Sequence, residues 1–226
     1  MINRSFTKLV RLLKNKNFQL DPNVDSFYLI QLSLSKILEL LRGIIKLRKV
    51  VFLGKAVVVY SNRQLVVGKS VMIGAYSLVN CTGENGIKIG SSSSIGRFSS
   101  LSVSGSISDL GKGIIIGNNV GIGDFAHIGG AGGVEIGSDT IVGHNFSVHP
   151  ENHNISDLDK PIRLQGVNRK GIVVGRNCWI GAKVTLLDGC SIGEGCVVAA
   201  GSVVRGNYPD NVIIAGVPAK IIKTRS

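Results

Sequence analysis

Aromatic residues are scarce in this sequence: Phe, Trp and Tyr make up 5% of its 226 positions, and there is a single Trp. A chain of this length can form one domain with a large core plus a small appendage, but with so few rings that core must be narrow and aliphatic. Proline is also rare, at five residues, whereas glycine reaches 30. The glycines follow no collagen triplet and stand among Val and Ile, so they mark many tight turns between short strands. Acidic residues number 14 against 26 Lys and Arg, a net charge of +12. Residues 1–50 hold ten basic and three acidic residues, a local +7. That excess implies an anionic partner such as a phosphate-rich cofactor, a sugar phosphate or an acidic membrane surface. No basic groove interleaved with aromatics and no known nucleic-acid module is present, which argues against nucleic acid.

Long apolar runs are missing from the amino-terminal region as well. Its longest uncharged run, Ser26 to Ser35, falls short of the ~20 apolar residues that a membrane span needs. The first twenty residues carry basic side chains throughout, so no cleavable signal peptide is expected. The four cysteines form neither a CxxC pair nor a His-paired zinc spacing, and are expected to be reduced packing residues. A reducing compartment, the cytoplasm, follows as an expectation.

The clearest positive feature is a period of six. Aliphatic residues recur at 174, 180, 186, 192, 198 and 204, and four residues after the first five stand Cys178, Val184, Cys190, Cys196 and Ser202, all small or β-branched. Neither a helix nor a two-sided strand repeats this way. A solenoid does, with one short strand and turn per six residues and three such units per coil of eighteen. Toward the amino terminus the aliphatics continue at 67, 73 and 79, then 89, 95 and 101, then 116, 122 and 128, then 136, 142 and 148. Steps from one coil to the next exceed eighteen by 4, 9, 2, 20 and 0 residues, which places insertions at coil corners after residues 79, 101, 128 and 148. About six full coils are expected. Small residues such as Val71, Ser77, Ser93, Ser99, Val120, Ala126 and Thr140 should stack in ladders inside them, with Phe146 the large exception before the largest insertion.

Residues 1–48 read as a helical extension. Phe6, Leu9, Val10, Leu12 and Leu13 interleave with Arg4, Lys8, Arg11 and Lys14 up to Asp21 and Pro22, and a second helical pattern runs from Phe27 to Leu47. This extension either caps the first coil or lies on a membrane surface through residues 1–47.

The IG-x-x-(small)-x units, the insertion ENHNISDLDKPIRLQG, and the motifs WIGA (179–182), VVAAGSVV and AGVPAK (215–220) together resemble the hexapeptide-repeat acyltransferases, in particular the branch that acetylates sugars. The resemblance covers about residues 50–223. It implies a mainly β fold, a left-handed parallel β-helix over residues 49–226 with an inserted loop at about 149–172. It further implies a homotrimer that transfers acetyl from acetyl-CoA to a saccharide hydroxyl in surface polysaccharide biosynthesis, the saccharide nucleotide- or lipid-linked. N-acetylation of a nucleotide-linked amino sugar is the alternative; a zinc carbonic anhydrase-like protein and a non-catalytic β-helix are lesser ones. In that family a histidine takes the proton from the acceptor hydroxyl, which needs such a base because it is protonated at neutral pH, and an imidazole's ordinary pKa of ~6.5 suits it.

His153, in ENHN, matches the family's catalytic position. Among the other histidines, His149 in SVHPEN is the lesser candidate for the base and a candidate to contact the acceptor, His144 in VGHNFS contacts the acceptor or the cofactor thioester or serves a turn, and His127 reads as structural. Glu151 is preferred over Asp157 as the carboxylate that orients the base. Trp179 either packs or lines the acceptor cleft. By match to the family, Gly181, Ala182, Ala200, Arg205, Lys220 and Lys223 bind CoA, with Arg205 replacing part of the usual Thr-Lys pair. No metal is expected.

Overall fold

The structure is a computed structural model that describes residues 7, 8, 10, 11 and 18–225. The helix expected over residues 1–20 lies largely outside the described residues. The second begins at Asp25, whose carboxylate accepts the Tyr28 N–H at 3.1 Å, and forms helix α1, Ser26–Leu47. Arg48 ends it in the left-handed conformation. Leu29, Gly43 and Leu47 are its buried residues, and a Cβ on Gly43 would fall on the Val51 carbonyl, so the helix lies directly against the start of the first coil. No described helix is long and apolar enough to cross a membrane.

From Phe52 the chain winds as a parallel β-helix with three sheet faces. The first face holds nine strands, from Phe52–Leu53 through Ile141–Val142 and Trp179–Ile180 to Val212–Gly216 and Ala219–Thr224. The second holds seven, from Val58–Tyr60 through His127–Gly129, Ser147–His149 and Thr185–Leu187 to Val203–Val204. The third, also of seven, runs from Leu65–Val67 through Ile114–Ile116, Val134–Ile136 and Ile172–Val174 to Asn207–Tyr208. Neighbours pair in parallel except the last two strands of the first face, which form an antiparallel hairpin.

The register follows the sequence period residue by residue: Val67 pairs with Ile89, Ile89 with Ile116, Ile116 with Ile136, Ile136 with Val174 and Val174 with Ile192. The strands close seven coils rather than about six, because the imperfect repeat after Val51 already forms a complete one. At ~4.8 Å per coil the prism is about 30 Å long. Every insertion lies at the corner between the second and third faces.

Aliphatic side chains from Leu53 to Ile214 fill the core, and third-face strands such as Ile87–Ile89 and Ile114–Ile116 contribute two each. The small positions are buried as expected, and their polar atoms serve the next coil. Ser93 Oγ donates to the Gly117 carbonyl at 2.8 Å, Thr140 Oγ1 to that of Gly175 at 3.1 Å, and Cys178 Sγ to that of Gly193 at 3.2 Å. All four cysteines are buried and free. Burial pushes the thiols of Cys81 and Cys178 up to about 11 and that of Cys190 up to about 12, so these are packing groups and not thiolates. Phe146 is fully buried. Three other rings stay outside: Tyr76, Phe98 and Phe125 stack at 5.2 and 5.1 Å along the corner between the first and second faces. All three have positive φ, a conformation that disfavours a bulky side chain by ~1–2 kcal/mol each.

Candidate functional site

The outward surface of the second face lies between the two corners that carry most of the candidate residues. Along its first edge, the coils turn through stacked pairs, Gly-x at the lower levels and Ala199–Ala200 at the last. A Cβ on Gly143 would come within 2.6 Å of Ala182 N, and one on Gly181 within 2.5 Å of Ala200 N, so only glycine fits at those levels. The x residues form a column of Arg97, Asp124, His144, Ala182 and Ala200. In its lower part each backbone N–H is taken by the side chain one coil up. Arg97 N–H donates to Asp124 Oδ1 at 2.7 Å, and Asp124 N–H to His144 Nδ1 at 2.9 Å. Above His144 the acceptors stop, because Ala182 and Ala200 have none to offer. Among the bonds of the described residues, the N–H groups of His144, Ala182 and Ala200 therefore have no acceptor. A corner that displays free N–H donors can hold carbonyl, phosphate or oxyanion oxygens.

The same column fixes His144. Its Nδ1 is occupied as an acceptor, so the neutral ring carries its proton on Nε2 and can donate from there. The Arg97 guanidinium, at 2.7 Å, holds the Asp124 carboxyl below the usual carboxylate range.

Across the face stand His127 and His149, ring centroids 5.5 Å apart. Burial, with the neighbouring His149 ring second, holds the His127 imidazole below its ordinary value. His149 Nε2 shares a 2.7 Å hydrogen bond with Ser147 Oγ.

The opposite edge carries the largest insertion. Asn152–His153 pairs antiparallel with Val167–Asn168, so His153 sits on a two-stranded hairpin that projects from the corner and is exposed. No hydrogen bond engages its imidazole among the described residues. Glu151 accepts from Arg169 Nε at 3.1 Å, and Arg169 also binds Asp109 at 2.9 Å, in the insertion that follows Leu101. Asp188 accepts the N–H groups of Lys170 and Gly171, each at 2.9 Å, and the Asn152 side-chain amide at 3.3 Å. The hairpin is thus tied down on both sides of His153. Arg169 and Asp188 escaped the sequence reading: Arg169 lies between the motifs, and Asp188, although in the LLDG that closes the stretch 171–189, carries no mark of its own there.

The remaining candidates are dispersed. Trp179 is exposed on the first face, beside Ile141. Lys220 pairs with Ala215 and Lys223 with Ile213 at the end of that face, which brings Lys220 beside the Ala200 corner. Arg205 follows Val204 at the far end of its strand, on the edge opposite Ala200. Asp157 is exposed in the insertion, its N–H bound by Gln165 Oε1 at 3.1 Å. No group of three His, Cys, Asp or Glu is placed to hold a metal among the described residues, so the zinc alternative finds no ligand set there.

Comparison with known proteins bears on the same region. Residues 171–206 match the bacterial transferase hexapeptide family (six repeats). Over that stretch the chain is similar to the hexapeptide-repeat family. Over 122 residues it is 39% identical to a protein of Escherichia coli K12 named "Putative lipopolysaccharide biosynthesis O-acetyl transferase WbbJ", a match that covers 50% of this chain and 62% of that one. Over 94 residues it is 32% identical to the galactoside O-acetyltransferase of the same organism, covering 40% and 43%. The matched stretch is thus less than two thirds of either relative. Among solved structures, the chain is similar to the polySia specific acetyltransferase NeuO (TM-score 0.50, 22% identity, 76% and 77% of the two chains). It is also similar to a point mutant of AntD, an N-acyltransferase from Bacillus cereus (TM-score 0.51, 22% identity, 78% and 83%). These likenesses concern the fold.

Proposed function

We propose that this chain is an acetyl-CoA-dependent O-acetyltransferase that acetylates a sugar hydroxyl, in surface polysaccharide biosynthesis, as a homotrimer. The observation that carries the reading is the pairing of two edges of one face. One edge displays the unused N–H donors of His144, Ala182 and Ala200, and the other projects His153 with an uncommitted imidazole. The names of two relatives that match 50% and 40% of the chain, one a lipopolysaccharide and one a galactoside O-acetyltransferase, support the choice of acceptor.

In this mechanism His153 removes the proton as the acceptor hydroxyl attacks the thioester carbonyl of acetyl-CoA. Negative charge then develops on the carbonyl oxygen, and N–H donors of the Ala182 corner stabilise it, together with His144 Nε2–H. Collapse of that intermediate expels the CoA thiolate, which takes up the proton, and leaves the acetyl ester on the sugar. Glu151 acts on the base indirectly, by anchoring the hairpin through Arg169. Lys220 and Lys223 serve the phosphates of CoA from the end of the first face, and Arg205 is a third cation for them. Trp179, His149 and Ser147 contact the acceptor.

The helix α1 leaves Phe27, Leu34, Ile37, Leu38, Leu41 and Ile45 exposed, next to Lys36, Arg42, Lys46, Arg48 and Lys49. An apolar stripe flanked by cations fits the surface of an anionic membrane from the cytoplasmic side. Binding to anionic vesicles should disappear in Leu34→Glu/Ile37→Glu, while circular dichroism stays unchanged. Retained vesicle binding refutes a membrane contact through this stripe, and loss of the oligomer instead assigns the stripe to a second copy. The enzymatic reading is tested by incubating the purified protein with acetyl-CoA and saccharide acceptors and following free thiol; absence of CoA binding would overturn it.

A further inference from the structure

A groove of about 540 Å³ runs along the corner between the second and third faces and onto the third face. It lies on the other side of the insertion from the face described above, and three lysines line it: Lys88, Lys112 and Lys170. Lys112 and Lys170 each stand one residue before a strand-opening glycine, and each lays its side chain over a bare glycine of the next coil. A Cβ on Gly133 would meet the Lys112 stem at 3.6 and 3.7 Å, and one on Gly189 the Lys170 stem at 3.0 Å. The glycines let both stems lie flat on the wall, so the ammonium groups are presented along the corner with less rotamer freedom to lose on binding.

None of the three lysines has an acidic partner among the ion pairs of the described residues. Among the neighbouring acids, Asp109 and Glu151 are engaged with Arg169 and Asp188 with the backbone of Lys170 and Gly171, while Glu84, whose N–H donates to the Gly111 carbonyl at 2.9 Å, lies just outside the lining. Glu135 also opens onto the groove, which leaves three positive charges against one negative. The glycine N–H groups are used within the fold, Gly113 and Gly133 on the Gly130 carbonyl and Gly189 on that of Gly171. Recognition therefore rests on the lysines as point charges. Beside them Ile115 and Val173 offer half-exposed aliphatic surface on the third face. The groove begins at the root of the His153 hairpin, because Asp188 binds both Lys170 N–H and the Asn152 amide.

We propose that this groove holds the diphosphate of a glycosyl diphosphate, so that the saccharide is acetylated while still attached to its activated carrier. The proposal rests on the acetyltransferase reading and specifies its acceptor. Three lysines less Glu135 leave an excess of two positive charges, which matches the two negative charges of a doubly esterified diphosphate, and the aliphatic wall suits the less polar part of the carrier. Two carriers share this chemistry, a nucleoside and a polyprenol, and the experiment separates them.

Calorimetric titration of the full chain uses UDP-glucose, a short-chain prenyl diphosphate-glucose in detergent, and free glucose as the control. Binding of either diphosphate, but not of glucose, is expected, and the ligand that binds names the carrier. In Lys112→Gln/Lys170→Gln the affinity should fall about tenfold or more, since each lost charge-assisted bond is worth ~1.5–3 kcal/mol, with CoA affinity and oligomeric state unchanged. Glu135→Gln should tighten binding, a gain that misfolding cannot imitate. Failure of both diphosphates to bind, unchanged affinity in the lysine variant, dissociation of its oligomer, or complete displacement of the ligand by CoA would each overturn the groove assignment. Acetyl transfer to unphosphorylated saccharides alongside an inert groove would leave the acetyltransferase reading standing.

Discussion

Asp124 N–H donates to His144 Nδ1 at 2.9 Å, and one coil further on Ala182 offers His144 N–H nothing to match it. The substitution of alanine for an acceptor side chain at 182 and 200 is what opens this corner to an outside ligand. Ala182→Asp should restore the missing acceptor, capping the His144 N–H and placing a carboxylate against the cofactor. The expected result is an unchanged or raised Tm with CoA affinity reduced about tenfold or more, measured by calorimetry. Gly181→Ala should act differently, lowering Tm as well, because its Cβ would strike Ala200 N.

Arg169 bridges Glu151 and Asp109, joining its own insertion to a residue 60 positions earlier in the sequence. Arg169→Met should loosen the His153 hairpin and leave the cofactor corner intact. Since a displacement of about 1 Å can cost ~10²-fold in rate, kcat should fall by about one to two orders of magnitude while KM for acetyl-CoA stays constant. Steady-state kinetics with both substrates varied checks this, and Arg169→Lys should recover part of the loss.

His127 gives a pH dependence. Its folded-state pKa is below the ordinary 6.5, so the unfolded chain binds the proton more readily and protonation favours unfolding. Stability from this group is intact above pH 6.5 and is lost as pH falls from there through the lowered value. Thermal melts between pH 8 and 5 should show that decline, and His127→Gln should flatten it. Asp124 acts in a separate window, because its depressed pKa sustains stability above its ordinary 3.8 and loses it only at lower pH.

Phe146 is the large side chain inside an otherwise slender core, 1% exposed. Phe146→Ala should cost ~3–5 kcal/mol, read as a lower denaturant midpoint. Phe98→Ala, on the exposed stack, should cost far less, because removing the ring leaves no cavity.

The repeat was legible because a β-helix writes its geometry into the chain one hexapeptide at a time. The five register steps read from Val67, Ile89, Ile116, Ile136, Val174 and Ile192 are the five strand pairings, and the corner that holds the insertions follows from them. The first coil was less plain, since its aliphatics are interrupted by exposed Val58, Tyr60 and Val66. The motif WIGA pointed to the Gly181–Ala182 turn, but not to why it is open. That depends on His144 and Asp124, which are 38 and 58 residues away in the sequence and meet it only by stacking. The engagement of Glu151 by Arg169 had no sequence signature either, because ion pairs between insertions follow no period. Aromatic scarcity correctly implied a narrow core, but not that Tyr76, Phe98 and Phe125 would be gathered into an external stack.

The central claim is that His153 is the base for acetyl transfer between the two edges of the second face. The most direct measurement is free-thiol release from acetyl-CoA, with a saccharide acceptor that the wild-type protein turns over, compared between wild type and His153→Ala. The variant is expected to keep its oligomeric state and CoA affinity and to lose acetyl transfer by ~10²–10⁴-fold. Full activity in His153→Ala would contradict that role.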